Sequence, residues 1–251
     1  MVFSDQILEK FSGSSPLFPL PDFVLFPLTG YTFRIFEERY IEMVEDVLQN
    51  EKLICVTQID PQGISASLDE PKIHPMGTLA YIFDEKKLDN GEFVIRTFAL
   101  KKVQINEAEK THLYRIGALT ILEDNTIINQ EKKQRKELFR KFSALVDQSA
   151  DELDISVFQN PLLSIEMLVN MICQSLPIPW EEQQKLLELP DVALRLDVVC
   201  QFMDSELNAE RNIEKFNQIS SQLTQSGISN NIRFSNQMAN RENLDIHIQV
   251  K

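Results

Sequence analysis

The side chains of this 251-residue chain that could do chemistry are few and scattered. Three cysteines, Cys55, Cys173 and Cys200, sit in apolar runs such as "LICVTQI" and "LVNMICQSL". The thiolate is the reactive form of cysteine, and apolar surroundings keep the proton on sulfur, so these read as buried free thiols of a reducing compartment. The histidines His74, His112 and His247 share no helical or finger-type spacing with one another or with a cysteine, so no metal motif is spelled out. Glu37 and Glu38 are adjacent carboxylates, but neighbours in a strand point to opposite faces, which suits a helix start better than acid–base work. No G-x-x-x-x-G-K-[ST] run occurs, and seven glycines leave no phosphate-cradling loop of that kind. A hydrolase would have to assemble Cys55, His74 or His112 and a carboxylate through the fold alone. No catalytic residue, cofactor or metal is therefore expected.

Charge narrows the partners. A net charge of -13 opposes phosphate backbones and anionic lipid. The one basic run, "EKKQRKELFRK", puts Lys132, Lys133, Arg135, Lys136, Arg140 and Lys141 near a helix start, where positive charge opposes the helix dipole. It reads as a solvated face; an acidic partner and RNA are the alternatives, and no aromatic residue interleaves the cluster before Phe139. The N-terminal "MVFSDQILEKFSGSS" lacks a cationic start followed by an apolar stretch, and no segment reaches membrane-helix length. A soluble cytoplasmic protein is expected, with no membrane partner and nucleic acid disfavoured.

The elements that must position these groups fall into two kinds. From Pro16 to about Leu122 the text is strand-like, with one helix over "RYIEMVEDVLQN", where Ile41, Val44 and Leu48 recur at helical spacing. "FVLFPL" reads as an edge strand because Pro27 cannot donate to a ladder, and Pro16, Pro19 and Pro21 stiffen an extended lead-in that blunts the sheet edge. "LICVTQI" reads as a strand, "DPQG" at Asp60–Gly63 as a turn, and the stretch to Pro75 as loop. "GTLAYIF" and "EFVIRTF" flank Asn90-Gly91, a tight-hairpin signature. "LKKVQIN" and "LYRIGALTIL" bring the count to about six strands.

After "EDNT" the period becomes 3.6. Leu138, Phe142, Leu145 and Val146 stripe a helix over about 130–149. "NPLLSIEMLVNMICQSL" starts a second helix at Pro161, with Ile165, Leu168, Val169 and Ile172 inward, stopped by Pro177 and Pro179. "WEEQQKLLEL" and "PDVALRLDVVCQFMDSEL" follow, the latter capped by Asp191 with Leu194, Val198 and Phe202 on one face. Past Phe216 the text turns to Gln, Ser and Asn, as a flexible tail would.

The order of these parts resembles the Lon protease N-terminal domain, a family of substrate-binding domains also found as stand-alone bacterial proteins. "PLFPLPDFVLFPLTGYTFRIFEERYIEMVEDVL" is similar to the family's opening, with Phe26-Pro27, Arg34 to Glu37 and Arg39-Tyr40. "MGTLAYIF" resembles its glycine-led central strand through Gly77. "LLSIEMLVNMICQSLPIPWEEQQKLLELPDVALRL" resembles its helical half. The likeness spans about Pro16 to Leu207, and one departure stands out, "RTFALKKVQI", where the family usually has a glycine and an Arg-Phe pair.

The resemblance implies an α+β fold, a PUA-like twisted sheet or pseudo-barrel followed by a helical bundle. The expected divisions are a tail at 1–15, the β-rich part at 16–124, the bundle at 125–216 and a flexible tail at 217–251. It implies a stand-alone binding module without ATPase or peptidase modules. Its partners would be unfolded or apolar protein segments, or a protease or chaperone to which it docks. Phe23, Phe33, Phe36 and Phe83 are the candidate peptide-binding residues.

Overall fold

Period-two alternation of apolar residues carries the first half of the chain into strands, and a 3.6 period carries the second half into helices. The computed structural model describes residues 3–60, 71–107, 112–147 and 155–225. In chain order these form α1 (Phe3–Leu8), β1 (Ser14–Leu20), β2 (Gly30–Ile35), α2 (Glu38–Leu48), β3 (Leu53–Ile59), β4 (Ile73–Lys87), β5 (Phe93–Glu107) and β6 (Arg115–Leu122). There follow α3 (Glu131–Val146), a 3-10 turn (Ile155–Gln159), α4 (Ile165–Ser175), α5 (Trp180–Glu188) and α6 (Val192–Gln225). Residues Met1–Gln201 form one compact unit, and Phe202–Lys251 is a second, entered within α6.

The six strands lie in the order β2-β5-β4-β3-β1-β6, and β6 also pairs with β5. β5 manages both pairings by length: Phe93–Phe98 runs against β2, and Lys102–Glu107 against β6. The sheet thus closes on itself over five strands and, among the described residues, leaves β2 as a flap with a ladder partner on one side only. Closure removes edges that would otherwise invite pairing.

A bulge in the middle of β5 divides the interior. Leu79 pairs with Lys101 and Ala80 with Ala99, so Leu100 is the extra residue. One added residue exchanges the two faces of a strand. Before it, Phe93, Ile95 and Ala99 join the core that α2 covers, with Phe18, Phe33, Met43 and Val44; after it, Val103 and Ile105 join the second core with Leu17, Cys55, Leu79 and Leu119. The first core is aromatic, with Phe33 meeting Phe18 and Phe23 edge-on at centroid distances of 5.4 and 5.6 Å.

Several elements differ from the sequence reading. "FVLFPL" is not a strand: Phe23–Phe26 lies outside the ladder and Pro27 opens a turn, because its polar groups find side chains instead. The prolines do not blunt an edge either. Pro16 and Pro19 lie in β1, which has neighbours on both sides; Pro16 faces Ile116 of β6 and Pro19 faces Thr57 of β3. The two half-strand pairings overlap only at Leu17, so each proline sits where one side carries no ladder.

The hairpin at Asn90-Gly91 is present, with a looser turn than the dipeptide suggests. Leu88 N donates to Glu92 O at 2.7 Å and Gly91 N to Leu88 O at 2.9 Å, leaving Asp89–Gly91 as the loop. Only Gly91 takes a positive φ, +88°, as in a three-residue turn with a glycine bulge. "EFVIRTF" and "LKKVQIN" belong to one strand, β5. At the N-terminus the expected tail holds α1, whose Ile7 and Leu8 pack on the second core with Phe11.

In the helical half, α4 begins at Ile165 rather than Pro161, because Ser164 caps it by accepting from Met167 N at 3.1 Å. Its inward residues Ile165, Leu168, Val169 and Ile172 are buried as expected. Asp191 caps α6, accepting from Ala193 N at 2.7 Å. The apolar stripe of α6 is reversed: Leu194 and Val198 are 51% and 46% exposed, while Val192, Leu196 and Val199 are buried with Arg195. α6 is helical to Gln225, past the expected tail start; residues 226–251 and most of the "DPQG" turn lie outside the described residues.

Candidate functional site

The closed sheet and the helical half are keyed together by polar side chains. Lys102 follows the β5 bulge and is turned away from the second core; its Nζ donates to Asp124 Oδ1 and to Leu189 O, the latter at 2.8 Å. Arg195 uses every nitrogen: Nε to Leu186 O at 2.9 Å, Nη1 to Asn170 Oδ1 at 2.7 Å, and Nη2 to Asp124 Oδ2 at 2.7 Å and Leu189 O at 3.0 Å. Lys102, Asp124 and Arg195 are all buried. Burial pulls the Lys102 ammonium below its ordinary range, opposed by its hydrogen bond to Asp124. Glu166, half-buried on α4, is raised first by burial and then by the Asp124 charge.

The same helix, α4, holds the segment Phe23–Thr29, which turns at Pro27 and Leu28. Asn170 Nδ2 donates to Pro27 O at 2.9 Å, and Gln174 Oε1 accepts from Phe26 N at 3.1 Å. Thr78 Oγ1 donates to Leu25 O at 2.6 Å, and Leu28 N to Ala99 O at 2.8 Å. Buried backbone needs partners, and here side chains supply what a strand ladder would. Sequence reasoning missed Lys102, Asp124, Asn170 and Arg195. The available signal was a polar residue inside an apolar helix, as in "MLVNMIC" and "VALRLDVV".

The four candidate phenylalanines divide. Phe23 and Phe33 are buried in the aromatic core, so no ligand reaches them without unpacking it. Phe36, just past β2, is 39% exposed, and Phe83 on β4 is 53% exposed. The fold therefore presents two of the four to solvent.

The thiol a hydrolase would need lies in the second core. Cys55 is fully buried and its thiol is pushed far above its ordinary range by burial alone. Cys173 is pushed up to about 12, again chiefly by burial. His74 Nδ1 stands 3.7 Å from Glu188 Oε1, while the His112 ring stacks on Tyr114 at 5.0 Å. Neither arrangement activates a nucleophile. In the basic run, Arg140 and Lys141 pair with Glu137, and Arg135 pairs with Glu131 and donates to Leu163 O at 2.6 Å. That is a helix surface laced by its own carboxylates.

The fold is similar to that of solved Lon N-terminal domains. A Lon N-terminal domain protein from Xanthomonas campestris matches with a TM-score of 0.55 at 21% identity, over 76% of this chain and 98% of that one. The N-terminal domain of the Mycobacterium avium complex Lon protease matches with a TM-score of 0.58 at 15% identity, over the same shares. Among sequences, Lon protease 1 of Bdellovibrio bacteriovorus is 28% identical over 212 residues, covering 80% of this chain and 26% of the relative. Lon protease of Chloroherpeton thalassium is 21% identical over 202 residues, covering 79% and 24%. The chain thus spans about a quarter of the length of these relatives.

The family model of the ATP-dependent protease La (LON) substrate-binding domain matches residues 14–205. The chain belongs to the Lon substrate-binding domain family, and the matched region is the recognition part, not a catalytic one.

Proposed function

We propose that this domain recognises protein clients without catalysing a reaction, by holding extended apolar segments along β2 with Phe36 and Phe83 as contact residues. The observation that carries the reading is the one-sided pairing of β2, whose ladder partner among the described residues is β5 alone and whose chain runs directly into exposed Phe36. An open strand edge offers backbone hydrogen bonds to any extended chain, and neighbouring aromatic surface adds a preference for apolar side chains. Membership of a substrate-binding family supports the same reading. No described helix is long and apolar enough to cross a membrane. Three free cysteines fit a reducing compartment, so the cytoplasm is the proposed location.

The test is a thermally unfolding client protein followed by light scattering without ATP, with a photo-crosslinking residue placed at Phe36, at Phe83 or at exposed Val157 in the helical half. Suppressed aggregation, with crosslinks from positions 36 and 83 exceeding those from 157, is expected. No suppression, or equal yields at all three positions, would overturn the reading; crosslinks to one dedicated partner would replace general capture with docking.

A further inference from the structure

A carboxylate pair on α2 and a histidine ahead of β6 converge, although the histidine spacing in the sequence gives no metal motif. Glu42 and Asp46 are one helical turn apart on α2, and the ligand atoms of Glu42, Asp46 and His112 all lie within 4.8 Å of one another. Two ligands of one ion with bonds of about 2.1 Å stand at most about 4.2 Å apart. Small side-chain torsions close that difference, since Glu42 and Asp46 are half-buried and His112 is exposed.

Two further observations mark this as more than an acidic patch. Like charges at a spacing of four residues on a helix destabilise it, and neither carboxylate forms an ion pair with a lysine or arginine among the described residues. Tyr114 organises the donors: its hydroxyl donates to Asp46 Oδ2 at 2.7 Å, and its ring stacks on His112 at an interplanar angle of 16°. A buried side chain that fixes both a carboxylate and an imidazole is the outer support that metal ligands use.

We propose that Glu42, Asp46 and His112 form a site for a borderline divalent ion of the zinc, cobalt or nickel kind, clipping the segment before β6 to α2. One imidazole and two carboxylates suit that class: the nitrogen donor disfavours magnesium and calcium, and the absence of thiolate disfavours copper(I). The role is structural, because an ion held by both elements is bound only when they are in place and so stabilises the folded state by mass action.

The test is calorimetric titration of the full chain with Zn²⁺, with Mg²⁺ and Ca²⁺ in parallel, plus thermal unfolding with and without Zn²⁺. Wild type, His112→Ala, Glu42→Gln and Tyr114→Phe are compared. One equivalent of Zn²⁺ bound with a raised Tm is expected, lost in His112→Ala and weakened about tenfold or more in Glu42→Gln and Tyr114→Phe. His112 is exposed, so its variant should match wild type in chelator. Zn²⁺ binding unchanged in His112→Ala, which would point to the cysteines, would overturn the proposal. So would binding no tighter than Mg²⁺, or no binding.

Discussion

Arg195 and Asp124, 71 residues apart in sequence, meet at 2.7 Å between guanidinium and carboxylate with both side chains withdrawn from water. Lys102 approaches the other oxygen of the same carboxylate, so one buried anion is shared by two cations, one from β5 and one from α6. Charges out of water are tolerated only when they are paired and hydrogen-bonded. Here Asn170 and the carbonyls of Leu186 and Leu189 complete the shell. The cluster fixes how the helices of the first unit seat on the closed sheet.

Arg195→Ala should therefore destabilise the fold by about 3–5 kcal/mol, since it leaves Asp124 buried with half its partners gone. The ion pair of Lys101 with Glu123 supplies the contrast. It is solvent-exposed, and Lys101→Ala should change stability by less than about 1 kcal/mol. Urea denaturation of both variants, with a double-mutant cycle on Arg195 and Asp124, checks this. Equal costs for the two variants would refute a buried, coupled pair.

Gly77 makes a second prediction. A β-carbon there would lie 2.5 Å from the Val56 carbonyl oxygen, with Thr57 Cβ at 3.1 Å and Ile105 Cδ1 at 3.2 Å. Backbone cannot step aside as a side chain can, so Gly77→Ala should cost about 1–3 kcal/mol by forcing β3 and β4 apart. At Gly30 the nearest atom is Thr97 O at 3.5 Å, an ordinary contact. Gly30→Ala should stay within about 0.5 kcal/mol of wild type. Thermal unfolding of the pair decides it.

These sites show what was legible in the sequence. The buried face of α4 follows from its helical period and β6 from its alternation, while β3 reads as a continuous apolar run because it is buried on both faces. Leu194 and Val198 misled, since two apolar residues four apart mark a face without saying which face packs; Arg195 claimed the interior because its hydrogen bonds lie there. The bulge at Leu100, the side-chain support of Phe23–Pro27 and the approach of Glu42 to His112 depend on partners far along the chain. No local pattern encodes them. Phe23 and Phe33 differ from Phe36 and Phe83 for the same reason, as burial is decided by what α2 and β1 cover.

Glu166 yields a pH prediction. Burial and the Asp124 charge raise its folded value above the ordinary 4.5, so the folded state holds this proton more tightly than the unfolded chain does. The associated stability is fully present below pH 4.5 and is lost as pH climbs through the folded value. Glu166→Gln cannot ionise. It should be more stable than wild type at neutral pH, with the gap shrinking as pH falls toward 4.5. Urea midpoints of the two proteins across that range measure it, and a gap independent of pH would show that the carboxyl is not raised.

Gln58 supplies the last prediction. Its side chain is buried on β3, and among the described residues neither its amide oxygen nor its nitrogen has a hydrogen-bond partner. A buried amide without partners costs roughly 1–3 kcal/mol in desolvation. Its position is apolar: it is in register with Leu20 of β1 and lies on the same face as Ile54 and Val56, which belong to the aromatic core. Methionine is unbranched, similar in length and has no amide to desolvate. Gln58→Met should therefore raise stability by about 1–2 kcal/mol, seen as a higher urea midpoint with an unchanged slope. A loss of stability would mean that the amide is satisfied in solution, and an altered slope would mean that the exchange changed the compactness of one of the two states.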